Sequence, residues 1–273
     1  MPLIKVLITV KSYPNLTSHY DEQLSIAGFT EDGTFIRIYP ISFSRKAYDE
    51  QFQLYDWVEV DLVRNTQDFR LESFSPKSPD TPIKKIGHVG MKDYWEERKN
   101  IVLKRVYRNL SNLLMESKHE AFYTSLAVFK PQRIIGFEIE EETRDWNEEK
   151  LAKLQEEKNH MQGVENPENP FQIMKKLPYK FSFRFTDDKN QELVLPIEDW
   201  ELASLYWKVL KKQNEQKAIM EVRKKYLEYI RHSDLHFFLG STQNMHASIK
   251  QPFTIVGLFQ PAVPPKVIQG SLF

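Results

Sequence analysis

Cysteine is absent from all 273 residues. That excludes disulfide staples, thiolate nucleophiles, thiolate zinc sites and cysteine-ligated iron–sulfur clusters, and it agrees with the cytoplasmic location expected here. Net charge is absent too, because 38 Lys and Arg balance 38 Asp and Glu. A global basic field is thereby excluded, and any contact with nucleic acid must come from a local patch of cations. Glycine is scarce, at nine residues, and neither a Gly-x-Gly-x-x-Gly fingerprint nor a Walker-type Gly-Lys-Ser/Thr loop occurs. No cofactor is expected. Long apolar runs are missing as well. Nothing approaches the roughly 20 residues of a membrane-spanning helix, and the short run Leu3–Val10 reads as a strand rather than a signal peptide. No membrane partner is expected.

What is present is enough apolar sequence, 41% of the chain, for a substantial core. Leu3 to Thr9 is a β-branched and aliphatic run, hence a buried strand. Leu24–Phe29 and Thr34–Tyr39 flank Glu31-Asp32-Gly33, which predicts a hairpin. In its second strand Ile36 and Ile38 share the face expected to point to the core. Phe35, Arg37 and Tyr39 share the other, expected to be open. Trp57–Val63 alternates again, and Phe69–Phe74 is a candidate fifth strand. Short strands this dense predict a small curled sheet or barrel.

The three prolines between Ser75 and Pro82 mark a linker, and Asn159–Pro170 marks a second. Lys92–Ser117 has helical spacing and a basic cluster that includes Lys99, Lys104 and Arg105. Tyr179, Phe181, Phe183 and Phe185 line one side of an alternating strand. Such a face either stacks unpaired bases or packs on a helix. From Ile197 to about Arg231 the pattern is helical with a break near Asn214, and it carries a second basic run from Lys208 to Lys225. The predicted class is α+β: a small N-terminal barrel-like sheet, then mixed helices and mainly antiparallel strands. The expected segments are a β-rich domain at 1–75, a helix-and-strand insert at 83–160, an α+β domain at 170–260, and a proline spacer with a tail at 261–273.

Catalytic patterns are not specific. Asp61, Asp68, Glu72 and Lys77 are the residue types of a metal-dependent nuclease, in a spacing that matches no such pattern. His232 and His236 are four apart but straddle a predicted helix-to-strand boundary, so no metal site is expected. The polar loop Gly240–His246 is the other place where a site could sit. If the N-terminal sheet closes, Lys11, Tyr13, Arg37, Tyr39 and Arg70 could gather at one mouth. There the cations would meet phosphate and a tyrosine would stack a base. The bland alternative is an ion pair between Arg37 and Glu72.

Two stretches resemble known families. Ser25-Ile26-Ala27-Gly28-Phe29, Asp32-Gly33 and Phe35-Ile36-Arg37-Ile38-Tyr39-Pro40 together resemble the opening hairpin of OB-type barrels in uncharacterised bacterial proteins. That resemblance implies an OB-like barrel that binds nucleic acid. The sequence ends in Gln269-Gly270-Ser271-Leu272-Phe273, behind the proline-rich Pro261-Ala262-Val263-Pro264-Pro265. This pentamer resembles the bacterial sliding-clamp-binding peptides, with Gly270 in place of the aliphatic residue common at the second position. A chance match is on the order of one in tens of thousands per pentamer at average composition. The resemblance implies a replication sliding clamp as partner, with Leu272 and Phe273 as apolar anchors and Gln269 and Ser271 as polar contacts. The expected function is a DNA- or RNA-binding protein recruited to the clamp in DNA replication, repair or mobile-element defence. Two alternatives stay open: a nuclease or other enzyme acting on nucleic acid or nucleotides, and a protein-interaction module whose tail packs on its own core.

Overall fold

The computed structural model describes residues 3–12, 24–41, 52–78, 81–146, 148, 176–241 and 250–263. Tyr13 and the tail residues Gln269, Ser271, Leu272 and Phe273 lie outside these residues. The fold is α+β with mostly antiparallel strands, as the sequence predicts.

The first half is one curled sheet. Its strands are β1 (Ile4–Lys11), β2 (Leu24–Thr30), β3 (Phe35–Ile41), β4 (Asp56–Val60), β5 (Leu62–Arg64), β6 (Ser73–Pro76) and β7 (Lys84–His88). The hydrogen-bonded order is β5-β6-β3-β2-β1-β4-β7. Only Asp61 separates β4 from β5. The continuous run from Asp56 to Arg64 therefore pairs with β1 at its start and with β6 at its end, and this closes a ring around an aliphatic interior. Val6, Ile8, Ile26, Ile36, Ile38, Val58, Val60 and Leu62 fill it. The β2–β3 turn is the one expected at Asp32-Gly33. Gly33 takes φ +88°, a conformation that costs glycine nothing, and Asp32 accepts from the Thr34 backbone N–H at 2.9 Å. Gly28 is required for a different reason. A Cβ there would lie 2.2 Å from the Leu7 carbonyl oxygen on the neighbouring strand.

Phe69–Phe74 is not a full strand. Residues up to Glu72 turn, and β6 begins only at Ser73. Asp68 holds the turn by accepting from the Arg70 backbone N–H at 3.0 Å, a local side-chain bond that competes with sheet pairing. Beyond the proline-rich stretch, β7 pairs with β4 and so extends the barrel sheet.

The helical pattern at 92–117 is interrupted. Helix α1 spans Lys92–Val102 and α2 spans Leu110–Lys118, with the short strand β8 (Val106–Tyr107) between them. Asn109 stops continuity by capping α2, accepting from the Asn112 N–H at 3.0 Å. Asp93, Tyr94 and Trp95 take left-handed backbone angles at the start of α1. Trp95 is thereby set edge-on to Tyr55 and Phe259, and the Arg98 guanidinium lies 3.6 Å from the Tyr55 ring centroid.

The second half has two sheets and a helical hairpin. Strands β9 (Leu126–Phe129), β13 (His236–Gly240) and β14 (Thr254–Phe259) join β8 in the order β14-β13-β9-β8, so the segments expected at 83–160 and 170–260 share a sheet. Strands β10 (Arg133–Glu141), β11 (Tyr179–Thr186) and β12 (Glu192–Pro196) form the other. Helices α3 (Trp200–Lys212) and α4 (Glu215–His232) pack on them. The aromatic face of β11 is core. Phe183 stacks on Phe237 at 5.3 Å between centroids, and Phe181 and Phe183 meet Tyr206 and Tyr226 of the helices. It is therefore closed to bases.

The two halves meet across a third apolar layer. Leu7, Val10, Ala27 and Phe29 on the outer face of the barrel pack with Leu126, Val128, Phe238 and Phe259. Phe35 stacks on Phe29 at 4.4 Å and reaches Phe238 at 5.7 Å. The face of β3 that the sequence leaves open is thus covered by β9 and β13. Phe238 is fully buried at this seam, so Phe238→Ala is expected to cost about 3–5 kcal/mol, read as a lowered urea midpoint in equilibrium unfolding.

Candidate functional site

The densest polar convergence lies at one end of this seam. Arg37 points from β3 out of the barrel, because its neighbours Ile36 and Ile38 point in. Its guanidinium donates to the Ser125 hydroxyl at 3.1 Å and to the Ser241 carbonyl at 3.0 Å. Arg70, on the β5–β6 turn, donates to the same Ser241 carbonyl and is clamped by Asp68, whose Oδ1 accepts from Nε at 2.8 Å. Glu72 completes the set. Its two oxygens accept from the Ser125 backbone N–H at 3.0 Å and the Ser125 hydroxyl at 3.1 Å. Ser125 and Ser241 stand at strand ends of the second half and are tied together by a backbone bond of 3.1 Å. Two arginines and Glu72 from the barrel therefore grip two serines of the other half, and Asp68 holds Arg70 in place.

Arg37, Asp68 and Arg70 are all buried. Burial first, and then the adjacent Arg70, pulls the Arg37 pKa down to about 9, while Glu72 and Asp68 hold it up. Arg37 stays charged at neutral pH. Burial pushes the Asp68 carboxyl up, but the bonds and charge of Arg70 outweigh it and hold the group at about 2.

The structure brings Arg37 and Arg70 together, as the mouth hypothesis expects, but as buried and fully engaged groups. Lys11 stands elsewhere. It is buried and donates to the Phe52 carbonyl at 2.6 Å, 4.8 Å from the Phe52 ring centroid. Tyr39 is half-buried. None of these cations presents its charge to solvent. The sequence misses Ser125 and Ser241, whose contacts with Arg37 span 88 and 204 positions; no local pattern marks them. Exposed apolar side chains stand close to the cluster in sequence: Phe69 and Leu71 flank Arg70 on the barrel turn, and Phe122 lies on the loop before β9, three residues before Ser125. Phe69 sits edge-on to Tyr123 at 5.2 Å.

Other polar groups have structural partners. Asp61 pairs with Lys77 at 3.3 Å. Asp56, fully buried, accepts from the Gln53 backbone at 2.8 Å and holds His88 at 2.7 Å and Lys85 at 2.9 Å. His236 is buried against the Asp234 carbonyl, and burial together with Lys130 drives its pKa down to about 4. Asp199 caps α3 and accepts from the Tyr226 hydroxyl at 3.2 Å. Burial, then Glu201, raises its pKa to about 7. Among the described residues no group of three His, Asp or Glu stands close enough to hold a metal ion.

Two family models match the chain, each described as a domain of unknown function: DUF8758 over residues 2–104 and DUF8757 over residues 108–273. The second spans more than half of the chain. The protein belongs to the DUF8757 family. No curated protein matches it. In this DUF8757 member the two matched regions correspond to the barrel with α1 and to the two-sheet half with α2 to α4. The Arg37–Arg70–Ser125–Ser241 cluster is therefore a joint between the two matched regions.

The sign of the Asp68 shift sets a pH test. A carboxyl held below its ordinary value of about 3.9 stabilises the fold fully above that pH and loses the contribution as pH falls toward 2. Stability of the wild type is expected to drop between about pH 4 and 2. In Asp68→Asn the drop should be shallower and neutral-pH stability lower, measured by urea unfolding across that range.

Proposed function

We propose that this protein binds nucleic acid and is recruited to a replication sliding clamp by its C-terminal tail, in DNA replication, repair or defence against mobile elements. The observation that carries the reading is the sequence Gln269-Gly270-Ser271-Leu272-Phe273 behind a proline-rich spacer. An extended peptide of this kind docks by dropping apolar anchors into a preformed groove while a polar residue fixes register. The last anchored point of the described chain is Ala262, which pairs with Ser233. Ten residues follow Val263, and ten extended residues reach at most about 35 Å, ample to hold Leu272 and Phe273 clear of the body.

The barrel supports the nucleic-acid half of the reading. Counting β4 and β5 as one bent strand gives a five-stranded ring, the strand number of the OB type. Its β2–β3 face, where OB barrels take nucleic acid, is covered here by the second half, so contact falls to other surfaces. A neutral protein binds DNA weakly, and tethering to the clamp would supply the missing affinity as effective concentration.

The test is direct. Deleting Gln269–Phe273, or combining Leu272→Ala with Phe273→Ala, should weaken clamp binding by about 30-fold or more, as loss of hot-spot anchors does, with an unchanged melting temperature. Calorimetric titration of clamp with full-length and truncated protein reads it. Equal affinity for both would overturn the recruitment.

A further inference from the structure

We propose that the outer face of the α3–α4 hairpin is where this protein meets the phosphate backbone of DNA. The inference rests on the nucleic-acid reading above and places its contact surface. The two helices are joined by Gln213 and Asn214 alone, so they run back to back as neighbours. Their buried sides are Leu202, Ala203 and Tyr206 on α3 and Ala218, Val222 and Tyr226 on α4. Away from that core, Lys208, Lys211 and Lys212 share one exposed face of α3 at i, i+3 and i+4. Lys217, Lys224 and Arg231 recur at seven-residue spacing along exposed α4, a stripe about 21 Å long at 1.5 Å per residue.

The clustering of cations without an ion pair distinguishes this surface. Several cations elsewhere are matched: Lys180 to Glu140 at 2.6 Å, Arg184 to Glu138 and Glu192, Lys5 to Glu31 at 3.2 Å, Lys85 to Asp56 at 2.9 Å. Lys84, Lys118 and Lys189 are exposed without an ion pair among the described residues, but they stand apart on β7, α2 and the β11–β12 turn. On the hairpin, residues 200–232 carry eight Lys and Arg against four Glu. One of those glutamates, Glu215, is already neutralised from outside by Arg144 at 2.9 Å. Lys225 pairs with Glu201 at 3.9 Å. Lys208, Lys211, Lys212, Lys217, Lys224 and Arg231 have no ion-pair partner among the described residues. A chain of zero net charge thus carries a local positive strip, the only form in which it can engage phosphates. Lysines on a helix face act as point charges, and Met220 is the one large apolar side chain exposed on these helices. The strip should read neither base sequence nor stacked bases.

Fluorescence anisotropy with a labelled duplex and a single strand of matching sequence tests this, using full-length protein from 50 to 200 mM salt. The triple variant Lys208→Glu, Lys211→Glu, Lys212→Glu is expected to bind at least about tenfold more weakly at low salt. Its log–log salt slope should be shallower by about 0.9 on duplex, and about 0.7 on single strand, for each phosphate that the variant no longer neutralises. Clamp binding should be unchanged. A control of equal charge change on exposed lysines elsewhere, Lys84→Glu, Lys118→Glu, Lys189→Glu, should keep most of the affinity. Equal loss in both triples, or undiminished binding by the hairpin variant, overturns the placement while leaving the nucleic-acid reading standing. No binding by the wild type at 50 mM salt removes both.

Discussion

The seam between the barrel and the second half is the constraint on which the rest of the molecule depends. A closed barrel of this size has a small aliphatic interior, here a set of Ile, Val and Leu side chains, and small cores stabilise weakly on their own. Its outer face carries Leu7, Val10, Ala27, Phe29 and Phe35, which water would meet if nothing covered them. Covering that face buries aromatic rings on both sides and makes each half part of the other's core. The same packing brings Arg37 into a dry environment, where an unmatched guanidinium would be costly.

The answer to that cost is the shared grip on Ser125 and Ser241. Arg37 and Arg70 donate, Asp68 and Glu72 accept, and the backbone groups of two strand ends fill the remaining valences. A network of this kind gains little over an apolar seam of equal volume, because desolvation offsets much of the attraction. What it contributes is direction: an apolar layer can slide, whereas two guanidiniums aimed at one carbonyl fix how β3 meets β13. The exposed Phe69, Leu71 and Phe122 stand on the loops that this joint positions, so their arrangement follows from the grip and not from the loops themselves.

Features that depend on neighbours in sequence were legible. The Asp32-Gly33 hairpin, the shared aromatic face of β11 and the break at Asn214 all appear where the pattern puts them; Asn214 caps α4 by accepting from the Lys217 N–H at 3.0 Å. Features that depend on distant partners were not. Arg37 alternates with Ile36 and Ile38 and so reads as solvent-facing, yet its partners lie 88 and 204 residues away. The aromatic face of β11 allows two readings until α3 and α4 are seen to cover it. The long helix read over 92–117 failed at β8, where Val106 and Tyr107 leave the helical pattern to pair with Val128 and Phe129. Helical spacing in sequence cannot register that an edge of a sheet awaits the chain.

Burying the cations of the barrel has a consequence for charge elsewhere. Arg37, Arg70 and Lys11 are all engaged inside the molecule, so they contribute to the formal balance of 38 against 38 but not to the field that a ligand meets. Glu138, Glu140 and Glu192 are likewise spent on Arg184 and Lys180. What a polyanion approaching from solvent encounters is therefore set by the groups left unmatched, and on the α3–α4 hairpin those are predominantly lysine and arginine. A zero net charge keeps non-specific affinity low over the whole surface. Under the proposed recruitment, a tether to the clamp would raise the occupancy of such a strip by effective concentration rather than by further contacts.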